Sequence, residues 1–270
     1  MKKVLMIIMF LGIFSPSYSA SPYRDEPAFK AGEKAVYNIY YNLGFIWVHA
    51  GSAEFSVEKK KDKGKSYYHL QLTGNTRRSF DKFYRIRDTF SVMVSEEDLI
   101  PHYYREVKNE DSFFADFRYY FNYSGTPQVR LDFNRRGVKS VDTMNIGKDV
   151  FDLLTTCYRF RSLDVGKVEK GSYLPFNMLF DKSVYNLGLT YKGKEEIKLR
   201  NKKSYKALKF TPRLITGDLF KKEDAMSIYV SDDDNHVPLY IEAKIKVGAV
   251  KVMLESVKNT KYPFSAQLEK

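Results

Sequence analysis

The chain has 270 residues, 43% hydrophobic, 16% aromatic and 29% charged, which is enough for one large domain or two small ones. Its single cysteine, Cys157, excludes an internal disulfide and any need for a disulfide-linked partner. A formal charge of +12 favours anionic partners such as lipid head groups or charged glycans, unless it serves only to keep strands soluble.

The first stretch, Met1 to Ser19, reads as a secretory leader: Lys2 and Lys3, then the apolar run Val4 to Phe14, then small residues at Ser17 and Ser19. An apolar run of about a dozen residues is too short for a membrane span, which needs about 20. Cleavage is expected near Ser19 or Ala20, leaving residues 20–270 as a single β-barrel-like domain. No cysteine follows the leader core before Cys157, so lipoprotein attachment is excluded. The expected location is the periplasm or the inner face of the outer membrane, in soluble form. Nucleic acid is the wrong partner there.

Residues 21–31 form a lead-in with no period, and Gly32-Glu33 opens a strand over 34–42. A second strand over 45–59 contains Gly51, which marks a bulge or a bend. The charged run 59–65 makes a hairpin tip, and 66–76 alternates with Tyr68, Leu70 and Leu72 on one face. Strands follow over 83–95, 99–110 and the aromatic-rich 113–123, then 129–133 and 138–144.

The next segment, 145–164, is the only long one with a helical period. Ile146, Val150, Leu153, Leu154, Cys157, Tyr158 and Arg161 fall on one face, and Asn145 can cap its start. Gly166 can stop it. Cys157 reads as a small core residue on that face. Strands resume over 172–181, 184–191, 195–200 and 205–211, with turns at Lys192-Gly193-Lys194 and Asn201-Lys202-Lys203. A loop surrounds Gly217-Asp218, and strands over 225–231, 237–247 and 249–258 finish the chain.

Strands at roughly ten-residue spacing without intervening helices pair as antiparallel neighbours. The fold class is therefore mainly β: an antiparallel meander curled into an open barrel or half-barrel, with one central α-helix over about 146–163. Curling removes most of the exposed edge of so long a sheet.

Chemistry is sparse. His49, His69, His102 and His236 are scattered, so no metal site is expected, and no phosphate loop or nucleophile elbow occurs. No cofactor and no catalytic residue is assigned. Asp232-Asp233-Asp234-Asn235 lacks the calcium-loop spacing and reads as a solvated turn. Glu33, Glu54, Asp88 and Asp116 lie on strands as possible carboxylate pairs for glycoside chemistry, with nothing to select among them.

The aromatic excess, 21 Tyr and 20 Phe, offers apolar area with polar tips, suited to a lipid or a sugar ring or simply to filling a wide concave face. The candidate ligand-contacting residues are Trp47, Phe117, Tyr119 and Phe121 on strands, with Tyr158 and Arg161 on the helix.

Gly32-Glu33 with Tyr37, Gly44 and Gly51, the helix DVFDLLTTCYRFRSLD, and the closing MSIYVSDDDNHVPLYIEAKIKVGAVKVMLE with Pro238 and Gly248 together resemble the exported bacterial proteins of domain-of-unknown-function family 3108 (DUF3108). The resemblance covers about 31–258. It implies an open antiparallel barrel in the envelope of a Gram-negative bacterium and brings no catalytic residues. Three functions follow as expectations: a periplasmic non-enzymatic protein holding a lipid or glycan on its concave face, an assembly factor binding another envelope protein, and a carbohydrate-active enzyme.

Overall fold

A computed structural model of the chain describes residues 22–213 and 226–269. The leader with its cleavage site, and the loop around Gly217-Asp218, lie outside the described residues. The first half contributes β1 (Lys34–Leu43), β2 (Ile46–Asp62), β3 (Lys65–Thr76), β4 (Arg87–Ser95), β5 (Pro101–Glu110), β6 (Phe113–Asn122), β7 (Gln128–Arg135) and β8 (Val138–Asn145). After β9 (Val150–Phe151) comes the helix α1 (Leu153–Arg161). The second half adds β10 (Tyr173–Phe180), β11 (Ser183–Lys198), β12 (Ser204–Arg213), β13 (Met226–Ser231), β14 (Pro238–Lys244), β15 (Ala249–Lys258) and β16 (Gln267–Leu268).

All these strands form one 16-stranded sheet. Its path runs from β8 back through β1, across to β15, and down to β9, so each half is a meander and β1–β15 joins them. Among the described residues no ladder joins β8 to β9. The ends of the sheet meet through side chains instead: Tyr123 donates its hydroxyl to the Val150 carbonyl (2.6 Å), Lys182 pairs with Asp142 (3.5 Å) and Arg135 with Asp181 (3.6 Å).

The alternation behind the strands is plain in β7, where Val129, Leu131 and Phe133 are buried between solvent-facing neighbours. Gly51 marks the expected irregularity: the β1–β2 register shifts beside it. A Cβ there would meet the Asn75 carbonyl oxygen at 2.4 Å, so only glycine lets β3 approach.

Several expectations need correction. The helix starts at Leu153, not near Ile146, because Asp152 rather than Asn145 provides the cap and Val150–Phe151 pairs in parallel with β10. Ile146 and Val150 are buried as expected, but from an extended connection, so their helical spacing misled. The helix ends at Arg161, capped by Ser162 and short of Gly166, with a 3-10 turn following over Val165–Lys167. Lys192-Gly193-Lys194 is no turn. β11 runs through it as a bulge, with Gly193 at φ +103°, so the two predicted strands are one.

The strand expected from residue 83 begins only at Arg87. Residues 77–86 form a connection in which Arg87 binds Asp81 (2.6 Å). The lead-in is also built in. Tyr23 bridges to Leu163, and the Arg24 amide donates to the Ser162 carbonyl (2.8 Å), which seats Phe29 wholly inside the core.

Candidate functional site

The helix α1 stands inside the curl and presents different faces to the two halves of the sheet. Leu154 and Tyr158, four residues apart, pack into a filled core with Phe29, Leu131, Phe117 and Tyr119. Leu153, Thr156, Cys157 and Phe160 face the other way, toward β10–β14. The single apolar face read from the helical period is therefore two faces with different neighbours.

The second face is packed only in part, with Phe160 edge-on against Phe176 of β10 (5.1 Å between ring centres). Between it and β10–β14 lies a cavity of about 240 Å³ whose wall is almost wholly apolar, including Met178, Leu189, Phe210 and Ile228. Two larger hollows, about 780 and 720 Å³, lie at the turns 96–100 and 232–236, with walls of mixed polar and apolar character that include several charged residues. Protein surrounds Cys157, yet it keeps free surface, because its thiol forms part of the cavity wall. It is thus a wall residue and not a packed core residue. Burial pushes that thiol up to about 11, which leaves it protonated and unreactive at neutral pH.

One end of the cavity is held by a buried ionic clamp. Arg161 Nη1 donates to Glu33 Oε1 (2.5 Å) and Nη2 to Oε2 (3.0 Å), while Nε donates to the Asn235 carbonyl (3.0 Å). His236 donates from Nδ1 to the Arg161 carbonyl (2.8 Å), since a carbonyl oxygen can only accept, and burial holds its imidazole below the usual range. Asn235 reaches back to the C-terminal tail, donating to the carbonyls of Tyr262 and Pro263 (3.1 Å each). The 232–235 turn is therefore solvated only in part: Asn235 is wholly buried and joins the helix to the tail. The acidic turn read as plain solvent chemistry had concealed this, and the only local signal was Asn-His before Val237-Pro238.

Of the six ligand-contacting candidates, Arg161 alone borders the apolar cavity. Tyr158 packs edge-on against Phe29 (4.8 Å between ring centres) on the filled side. Phe117, Tyr119 and Phe121 share one buried face of β6. Phe117 and Tyr119 meet Phe133 at 4.6 and 5.8 Å, and Phe121 stacks on Tyr123. Trp47 sits on the opposite face of β1–β2 from Tyr37, between the Lys251 ammonium (4.6 Å) and the Arg200 guanidinium (5.1 Å). The cavity walls that the sequence did not single out come from β10–β14, including Leu189 and Phe210, which are spread over separate strands.

The four candidate carboxylates are each engaged elsewhere. Glu33 holds Arg161, Glu54 pairs with Lys34 (2.8 Å), Asp88 accepts the Asn109 amide (2.9 Å), and Asp116 takes both Arg105 and Arg118. None of them lines the cavity.

Asp152, buried at the start of α1, accepts the Thr155 amide (3.0 Å) and hydroxyl (2.5 Å), yet burial outweighs these bonds and raises its carboxyl to about 6. A folded-state value above the unfolded one means the native state holds the proton more tightly. The group therefore favours folding at low pH, and that contribution is lost as pH rises from about 4 through about 6. Asp152→Asn keeps a good cap without the charge. It should raise stability by about 1–3 kcal/mol at pH 8 and by almost nothing at pH 4, as read by urea unfolding at the two values. An equal effect at both would show that the charge is not what burial penalises.

Among the described residues no helix is long and apolar enough to cross a membrane. The family described as "Protein of unknown function (DUF3108)" matches residues 36–255. No curated protein matches the sequence. Among solved structures, a β-barrel-like protein of domain of unknown function DUF1849 from Brucella abortus is similar, with a TM-score of 0.55 at 9% identity over 88% of this chain and 100% of that one. At that identity the likeness shows the fold alone.

Proposed function

Since this chain belongs to the DUF3108 family, which brings a fold and no assigned chemistry, we propose from the cavity that it is a non-enzymatic binding protein of the bacterial envelope that holds a single acyl chain between α1 and β10–β14. The cavity carries the reading. An apolar hollow cannot keep water well, because each water needs two or more polar partners, and an apolar hole of about 150 Å³ in another protein takes up benzene. At about 240 Å³ this one falls just below the range of drug-sized pockets, roughly 300–1,000 Å³, and suits one chain rather than a two-tailed lipid. A glycan is the poorer ligand. Its hydroxyls would lose their bonds to water and find almost no partners on this wall.

The test is mass spectrometry of an organic extract of the protein purified gently from a periplasm, followed by titration with saturated fatty acids of increasing length. Affinity should rise roughly tenfold for every two methylenes, at about 0.8 kcal/mol each, until the cavity is full. Cys157→Phe, which places a ring in the hollow, should remove binding and leave stability within about 1 kcal/mol, whereas the same change in a packed core costs about 1–3 kcal/mol. An empty extract with no chain-length dependence would rule the reading out. The second reading, an assembly factor, draws on β8, an edge strand exposed along nearly its whole length and able to accept a partner's strand. A protein captured from the native envelope together with an empty extract would favour it.

A further inference from the structure

Because neighbouring strands are antiparallel, the turns of the meander fall on two rims, and the rims differ in chemistry. Among the described residues one rim carries the turns after β1, β3, β5, β7, β10 and β14, and bonds link several of these turns to the strands beside them. Tyr41 donates its hydroxyl to the Val247 carbonyl (3.0 Å), the Arg77 amide donates to Ala50 (2.9 Å), the Asp111 amide to Arg85 (2.9 Å) and the Arg136 amide to Phe114 (2.9 Å). Arg135 pairs with Asp181 to bring in the β10–β11 turn.

This rim is where apolar side chains meet water. Phe45 is 94% exposed, Phe83 80%, Val138 75% and Val247 59%, with Leu43 and Ile46 beside Phe45. The turns of the other rim, at 63–64, 96–100, 124–126, 201–203 and 232–236, expose no large apolar side chain. Elsewhere Tyr120 and Val141 stand within strands and Tyr173 at the start of β10.

Basic residues stand on both rims, but the acidic clusters lie on the rim opposite the apolar tips. Arg77, Arg78, Lys82, Arg136, Lys182 and Lys246 lie in or beside the apolar turns, where Asp81 and Asp181 are each bound to an arginine and Asp111 accepts the Arg85 amide. The other rim is mixed: Glu96-Glu97-Asp98 and Asp232-Asp233-Asp234 share it with Lys61, Lys63 and Lys65 at one turn and Lys202 and Lys203 at another.

We infer that the apolar, basic rim docks on an anionic phospholipid surface, with Phe45, Phe83 and Val247 entering the acyl boundary and the Arg and Lys side chains meeting the head groups. Apolar tips interleaved with basic residues are the chemistry of interfacial binding, in which area buried among acyl chains adds to attraction for anionic lipid. Separate turn tips arrayed around one rim suit a broad surface better than they suit a groove in a protein. The inference is independent of whether the cavity holds a ligand.

The experiment is co-sedimentation of the protein, purified from the periplasm of an expressing bacterium, with vesicles of phosphatidylethanolamine and phosphatidylglycerol, and with phosphatidylcholine vesicles alone. The protein should pellet with the anionic vesicles and much less with the neutral ones. The triple variant Phe45→Ser/Phe83→Ser/Val247→Ser changes only exposed turn residues, so its urea midpoint should not move, while its binding should fall by roughly tenfold or more. Lys202→Ser/Lys203→Ser on the opposite rim should bind like the parent. Unchanged binding by the triple variant overturns the inference, and so does an equal loss in the opposite-rim variant, which would mean unspecific charge attraction. A parent protein that ignores both vesicles overturns it too, and leaves the rim to a protein partner.

Discussion

Arg161→Met should cost the protein about 3–5 kcal/mol of stability, the usual penalty when one member of a buried ion pair is removed and the other remains. The side chains of Arg161 and Glu33 are 8% and 2% exposed, so the Glu33 carboxylate would be left in the interior without its counter-ion. Arg161 also donates to backbone carbonyls of Asn235 and Ala28, and its ring neighbours are Phe29 and Tyr158. The substitution thus loosens the lead-in, the helix end and the 232–236 turn together.

A domain's whole stability is about 5–15 kcal/mol, so the single variant will be marginal. The double variant Glu33→Met/Arg161→Met removes both charges and should recover most of the loss, because an apolar pair of similar volume often replaces a buried ion pair at little net cost. Urea unfolding reads both, with the midpoint falling and the slope unchanged. A loss below about 1 kcal/mol in the single variant, or no recovery in the double, would show that the pair is not a clamp.

Leu154→Ala should cost about 2–5 kcal/mol, and Leu153→Ala less than about 1 kcal/mol, although the two residues are adjacent on one helix. Leu154 is wholly buried among the aromatic side chains of the filled half. Truncating it opens a hole in close packing and forfeits contacts on every side. Leu153 borders the existing cavity, so its truncation only widens a space that is already empty. The same urea experiment compares them, and equal losses would mean that β10–β14 closes on the helix as tightly as β3–β7 does. Leu153→Ala should in addition shift the preferred fatty acid to a longer chain.

Much of this architecture was legible because it is local. Strict alternation at Val129, Leu131 and Phe133, or at Phe117, Tyr119 and Phe121, reports a strand with one buried face whatever lies opposite. Gly32-Glu33 with Tyr37, Gly44 and Gly51, the helix core and the closing stretch through Pro238 and Gly248 together resemble the DUF3108 family, which the match over 36–255 bears out. The helix was legible in kind but not in extent. Ile146 and Val150 keep a helical spacing while lying in an extended connection, because burial alone sets an apolar period and does not say what backbone carries it.

By itself, then, the sequence determined a curled antiparallel sheet with one internal helix, since side-chain direction along a strand or helix repeats over a few residues. The tertiary structure decided the rest. Glu33 and Arg161 are 128 positions apart in the chain and meet only once the sheet has curled. The two faces of α1, so alike in composition, meet different surroundings because curvature packs β3–β7 against one and leaves an apolar hollow between the other and β10–β14. Likewise the exposed Phe45, Phe83, Val138 and Val247 look scattered along the chain, and it is the alternation of strand direction that gathers them on one rim.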